Sequence, residues 1–284
     1  MTQNWRALLG PYGIWRSASM VTPELAAGIE QLGYGALWLG GSPGADLRIV
    51  DKLLAETSEL VVATGIVNMW QSDAHEVAAS FARIEAGHPG RFLLGVGAGH
   101  REATQEYASP YDTIVKYVDD LLDGGVPAES LVLAALGPKM LRLAAERTAG
   151  AHPYLVTPAY ISQAREIMGA GPLIATEHKV VLEADPEVAR AIGRPRVQRP
   201  YLGLINYISN LRRLGWTDED LAGGGSDALI DALVAHGDAQ QVAGQLAEFD
   251  EAGADHICVQ LVTAAQDADP LPGYRELAEV LELE

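Results

Sequence analysis

The chain has 284 residues, inside the size range of a single α/β barrel, and its 48% hydrophobic and 20% charged residues are close to globular averages, which excludes a disordered class. Against 20 Lys and Arg stand 38 Asp and Glu, a formal net charge of −18, so phosphate backbones and anionic membrane faces are repelled and nucleic acid is excluded as a partner. An anionic ligand must then be held by local features: backbone N–H groups, helix N-termini or a few placed cations.

The lone cysteine, Cys258, sits in the apolar run Ile257-Cys258-Val259 and has no partner for an internal disulfide, which fits a reducing compartment. No apolar run reaches the roughly 18 residues that a membrane span needs, and no charged-then-apolar leader opens the chain. The expectation is one soluble, cytoplasmic domain over 1–284.

Eight strands are expected in chain order, at Pro11–Trp15, Ala36–Leu39, Val61–Asn68, Phe92–Gly97, Ser130–Leu136, Ala151–Val156, Leu173–Leu182 and His256–Val262. Helices rich in Ala, Leu and Glu separate them, near Pro23–Leu32, Asp46–Thr57, Ala74–Ala86, Tyr111–Leu122, Lys139–Thr148, Ala159–Gly169 and Asp238–Ala252, with a last one at Pro272–Leu283. Thr22-Pro23 supplies a cap with proline at the first helical position, and Gly33, Gly87 and Gly253 stand where helices stop. About 185–226 breaks the rhythm with extra helices, including Tyr201–Leu214, before Gly223-Gly224-Gly225. This helical insertion between strands seven and eight belongs over the C-terminal face. Eight strand–helix pairs are the count of a (β/α)8 (TIM) barrel, but periodicity alone does not separate that fold from a doubly wound open sheet.

Four features carry chemistry on their own terms. Gly97 and Gly99 flank the end of the fourth strand, with Ala98 between them, so the backbone there is open to a flat ligand. His100 follows on the loop as the best-placed titrating group. Leu136-Gly137-Pro138-Lys139-Met140 ends the fifth strand and opens a helix. Gly137 suits the cap, Pro138 gives up a donor that would be orphaned anyway, and Lys139 opposes the helix dipole unless an anion is bound there. Thr157-Pro158 repeats the cap-and-proline pattern after strand six and offers a second hydroxyl or N–H contact. No His/Asp/Glu cluster has metal-ligand spacing, so no metal site is expected, and neither a nucleophilic-serine nor a P-loop pattern occurs.

His88-Pro89-Gly90-Arg91 leading into Phe92–His100, then Ala134–Met140, then Gly253-Ala254-Asp255-His256, resemble the luciferase-like monooxygenase superfamily, and most closely its short coenzyme F420-dependent oxidoreductases. The resemblance runs from about residue 10 to the C-terminus. It implies the closed barrel over the open sheet, and an F420 cofactor, or FMN as the alternative, at the C-terminal strand ends. It further implies a non-proline cis peptide or bulge at Gly65–Ile66 under the ring, and Asn68 at the ring's polar edge. Trp15 at the end of strand one is implied to pack on the ring or substrate, and Gly137–Met140 to hold the anionic tail.

The implied activity is hydride transfer between F420 and a small organic substrate. The alternatives are an FMN monooxygenase that draws reduced flavin from a partner reductase, and a decayed barrel that binds flavin or serves as a structural dimer; the partner is accordingly a flavin reductase or, for the F420 reading, an F420 reductase. A homodimer is implied through helices two and three, with Leu53, Leu54, Val77 and Phe81 as apolar surface. The chain departs from the family at the end of strand two, where Gly41 and Ser42 replace the usual Asp-His pair. Other residues expected around the mouth are His75, Glu177 and His178. The last two are sequence neighbours, so at most one faces the interior. His152 and His256 are expected near the N-terminal face, in stabilising roles.

Overall fold

The structure, a computed structural model, describes residues 3–99, 110–265 and 267–283. Its strands are β1 (Tyr12–Ser17), β2 (Ala36–Gly40), β3 (Val61–Thr64), β4 (Val67–Asn68), β5 (Phe92–Gly97), β6 (Leu131–Leu133), β7 (Gly150–Ala151), β8 (Leu173–Leu182), β9 (Val234–Gly237) and β10 (His256–Leu261). All described pairings are parallel, and the order β1-β2-β3-β5-β6-β7-β8-β10 returns to β1, closing an eight-stranded barrel. β4 carries the β3 direction onward past Gly65–Ile66 and pairs with β5, Asn68 opposite Gly97.

Strand alternation builds two cores. One set of side chains points inward: Ala36 and Trp38 of β2, Val61 and Ala63 of β3, Leu93, Val132, Leu173, Ala175 and Cys258. Trp5 and Leu9 of α1 (Trp5–Leu9) join this set and plug the N-terminal mouth; the sequence reading contains no element there. The alternate residues, such as Leu37, Val62, Leu94, Leu133 and Val259, pack outward against the helices.

The surrounding helices are α2 (Pro23–Gln31), α3 (Arg48–Ala55), α4 (Ala74–Gly87), α5 (Pro110–Asp123), α6 (Pro138–Arg147), α7 (Pro158–Met168), α12 (Ala239–Glu251) and α13 (Leu271–Val280). The Thr22 cap forms as expected, its hydroxyl oxygen accepting from the Leu25 N–H at 3.2 Å. Leu53 and Leu54 of α3, with Val77 and Phe81 of α4, are buried against the chain's own barrel. They belong to the core and are not the apolar surface of a dimer, so that part of the sequence reading is corrected.

Between β8 and β10 lie α8 (Pro186–Gln198), α9 (Ile205–Arg213), α10 (Asp218–Leu221), α11 (Asp227–Leu233) and β9, the expected insertion enlarged by one strand. β9 pairs with the upper half of β8, Lys179 to Leu182. Its helices form a separate core with Leu155, Val181 and Val262, residues at the C-terminal half of the barrel, so the insertion sits over that face. No helix among the described residues is long and apolar enough to cross a membrane.

Candidate active site

The expected third strand is interrupted after Thr64, and the Gly65–Ile66 peptide is cis. Gly65 presents its α-carbon to the barrel interior, where a β-carbon would lie 2.8 Å from His152 Nε2 and 2.9 Å from Trp15 Nε1. Trp15 is held there because Gly40 on the neighbouring strand has no side chain; a β-carbon at Gly40 would lie 1.9 Å from the indole. The indole also meets Tyr154, with ring centroids 5.5 Å apart.

His152 is placed differently from the sequence reading. In the run taken as strand six, Ala151–Val156, the backbone ladder carries on past Ala151 through the His152 N–H, which donates to the Leu133 carbonyl at 2.8 Å, and the Pro153 carbonyl, which accepts from the Glu177 N–H at 3.0 Å, so His152 stands toward the C-terminal end of the paired run and does not begin it. Pro153 lacks an N–H for the ladder and Leu155 takes a left-handed φ of 54°, its N–H donating to Glu177 Oε2 at 3.2 Å. The imidazole stacks on Trp38 (4.2 Å, 12° between planes), and its Nδ1 lies 2.8 Å from the Ala175 carbonyl. A carbonyl only accepts, so Nδ1 carries the hydrogen and Nε2 is a bare acceptor. Burial lowers the His152 pKa to about 4, which keeps the ring neutral. His152 Nε2 and Trp15 Nε1 are both buried, and neither has a hydrogen-bond partner. His256 does take the expected structural role, accepting from Trp38 Nε1 at 3.0 Å, with Nδ1 2.8 Å from the Gly10 carbonyl.

Of the neighbours on β8, Glu177 faces inward and His178 faces out, tilted against Phe249 at 4.3 Å. Lys179, two residues on, shares the inward face and pairs with Glu177 at 3.2 Å, both side chains buried. Burial pushes the Glu177 carboxyl up and the Lys179 amine down, and each is pulled back by the other's charge. The ammonium also lies 4.0 Å from the Tyr154 ring centre and 5.3 Å from that of Tyr201, which the insertion supplies. This pair and its tyrosines escaped the sequence reading, although Glu177-x-Lys179 at strand spacing was a visible signal. His75 opens α4 on the exposed surface, outside the interior cluster.

The remaining expected positions lie on adjacent strand ends. The Asn68 Oδ1 accepts from the Trp70 N–H at 3.0 Å, which leaves its amide N–H2 as donor. Gly97 is not an open patch: a β-carbon there would lie 2.8 Å from Ala134 and 3.2 Å from Ile66, so the missing side chain makes room for neighbours within the chain. Gly99 turns with φ of 57° beside the Asn68 amide, and Ala98 packs partly on the core. His100 lies outside the described residues.

Gly137 differs, for nothing stands within 4 Å of its β position, and it caps α6 without a side-chain hydrogen bond or an acidic residue in the first turn. Lys139 Nζ lies 3.4 Å over the Tyr111 ring, while Leu136 and Met140 are half-buried against the core. Thr157 spends its oxygen on capping α7, accepting from the Tyr160 N–H at 3.4 Å. At the end of β2, Gly41 and Ser42 form a turn with φ of 77° and 53°. Among the described residues, no group of three His, Cys, Asp or Glu is placed to hold a metal ion.

A barrel with unpaired polar atoms inside and an uncapped helix start at its C-terminal rim accords with the family comparison. The model of the luciferase-like monooxygenase family matches residues 21–123 and 122–256, and the chain belongs to that family. Its members are F420- or flavin-dependent oxidoreductases and monooxygenases.

Among solved structures the chain is similar to an F420-dependent secondary alcohol dehydrogenase in complex with an F420–acetone adduct (17% identity, 96% of this chain and 98% of that one, TM-score 0.74). It is also similar to the coenzyme F420-dependent tetrahydromethanopterin reductase of Methanopyrus kandleri (14%, 96% and 99%, 0.70). A third is the FMN-bound oxygenating constituent of 3,6-diketocamphane monooxygenase from Pseudomonas putida (15%, 96% and 97%, 0.66). At these identities the likeness shows the fold. No curated protein sequence matches the chain.

Proposed function

We propose that the chain is an F420-dependent oxidoreductase that moves a hydride between the deazaflavin and a small organic substrate. The observation that carries the reading is the open start of α6 at Gly137, without a side-chain cap, which follows β6, the strand paired with β5, in a chain whose net charge is −18. Two similar structures of F420 enzymes, each matched over nearly their whole length, support the choice of cofactor. Similarity to the FMN-bound monooxygenase keeps FMN, with a reductase partner supplying reduced flavin, as the second reading.

When bound, the cofactor supplies a two-electron hydride carrier. The N–H groups of Lys139 and Met140 and the ammonium of Lys139 hold its phosphate, while Thr157 and Leu136 border the tail. The Asn68 amide donates to the ring's polar edge. Gly65, Ile66, Ala98 and Gly99 would form the floor under the ring, and Trp15 would wall the substrate side. His100, which lies outside the described residues, is the proposed proton-exchanging residue. The same reading takes the chain as one cytoplasmic domain acting as a homodimer, through surfaces other than the buried Leu53, Leu54, Val77 and Phe81.

Amide hydrogen exchange locates the site. Saturating F420 should slow exchange at 65–68, 97–99 and 137–141 and leave the N-terminal face unchanged. Protection confined to other segments would refute the assignment.

A further inference from the structure

Two polar atoms in the barrel interior have no partner and meet at one place. Trp15 Nε1 and His152 Nε2 are each buried, without a hydrogen bond, and within 3 Å of the single point where a Gly65 β-carbon would stand. They are chemically complementary: the indole N–H can only donate, and the imidazole nitrogen can only accept, since the Ala175 carbonyl fixes the hydrogen on Nδ1. Both rings are immobilised, His152 by its stack on Trp38 and Trp15 by its seat over Gly40. Neither ring can turn to find another partner. Burying an unmet donor and an unmet acceptor costs roughly 1–3 kcal/mol each, so a complementary donor and acceptor left unmet on the same side-chain-free glycine call for a third group that bridges them.

We propose that Trp15 Nε1 and His152 Nε2 form a slot for a single O–H oxygen, which accepts from the indole and donates to the imidazole. Carbonyl oxygens satisfy only the indole, and ammonium groups satisfy only the imidazole. A hydroxyl satisfies both, so the slot takes water or the hydroxyl of an alcohol substrate. Trp15 is partly exposed and lies beside Tyr154, which in turn meets the insertion's Tyr201, and this gives the slot a wall on the substrate side. His152, directly after β7, is thereby a residue that holds the hydroxyl proton of the bound molecule. The alcohol arm rests on the functional reading above; the slot itself does not.

The test uses the whole protein without cofactor, labelled with nitrogen-15 at histidine, and reads His152 in two-bond proton–nitrogen spectra. The expected result is an Nδ1-protonated ring whose Nε2 resonance shows an accepted hydrogen bond. In Trp15→Phe, which keeps a ring and loses the N–H, that resonance should move toward a free nitrogen. A saturable shift on adding 2-propanol, about tenfold weaker in affinity in Trp15→Phe, assigns the slot to a substrate hydroxyl. A hydrogen-bonded Nε2 that ignores 2-propanol assigns it to water. An Nε2-protonated ring, or a resonance unchanged in Trp15→Phe, overturns the proposal. Because no cofactor is present, failure here is separable from failure to bind F420.

Discussion

Gly65 and His152 are 87 positions apart in sequence, yet a β-carbon on Gly65 would lie 2.8 Å from His152 Nε2. Neither neighbour can yield, because His152 is stacked on Trp38 and bonded to the Ala175 carbonyl, and Trp15 is wedged over Gly40. Gly65→Ala should therefore destabilise the protein by about 1–3 kcal/mol, the usual cost of overpacking a rigid core. Chemical denaturation of both proteins measures it. A loss below about 0.5 kcal/mol would mean that the interior around Gly65 is looser than described.

The buried pair Glu177–Lys179 should behave as a unit. Lys179→Met leaves a carboxylate inside the barrel without its cation, at an expected cost of about 3–5 kcal/mol. Adding Glu177→Gln to it should restore most of that loss, since no charge then remains buried. Equal stability of the single and double variants would show that water already reaches the pair.

Three histidines are buried and neutral, with pKa values lowered by burial to about 4 (His152), about 3 (His178) and about 4 (His256). In the unfolded chain each titrates near 6.5, so the unfolded state binds more protons between about pH 6.5 and 4. Stability contributed by their neutrality is full above pH 6.5 and is lost as pH falls toward 4, at about 1.4 kcal/mol per pH unit for each group. His178→Leu removes one of them from the helix-facing side. Its stability relative to the parent should rise by that slope as pH drops through the window, and parallel curves would refute the burial of a neutral His178.

Gly137 is the first place where stability and binding separate. Its side-chain position is open and α6 lacks a side-chain cap, so Gly137→Asp gives the helix an acceptable cap and should leave stability unchanged or raised by up to about 1 kcal/mol. The same carboxylate stands where the cofactor phosphate is proposed to bind, and should weaken cofactor binding by about 1–3 kcal/mol. A stable variant with undiminished binding would place the phosphate elsewhere.

Much of the barrel was legible because its punctuation is local. Thr22-Pro23 and Gly137-Pro138 begin helices by their own backbone chemistry, and the inward set Ala36, Trp38, Val61, Ala63 alternates at strand spacing. Other features depend on tertiary neighbours. Leu155-Val156 has strand composition, but Leu155 turns left-handed and its N–H reaches Glu177, so strand six ends after Pro153, and His152, alternate to the outward-packed Ala151, points inside the barrel. β9 is only four residues, Val-Ala-His-Gly, and exists because the upper half of β8 offers an unpaired edge. Leu53 and Phe81 read as apolar faces, and sequence cannot say whether the chain's own barrel or a partner covers them. Gly97 reads as space for a ligand, whereas Ile66 and Ala134 fill that space.

The central claim, that this barrel is built for a deazaflavin, is tested most directly by parallel calorimetric titrations of the protein with F420 and with FMN in the same buffer. The account predicts saturable one-site binding of F420 at least about tenfold tighter than that of FMN, a difference of about 1.4 kcal/mol. Tighter binding of FMN, or no binding of F420, would contradict it.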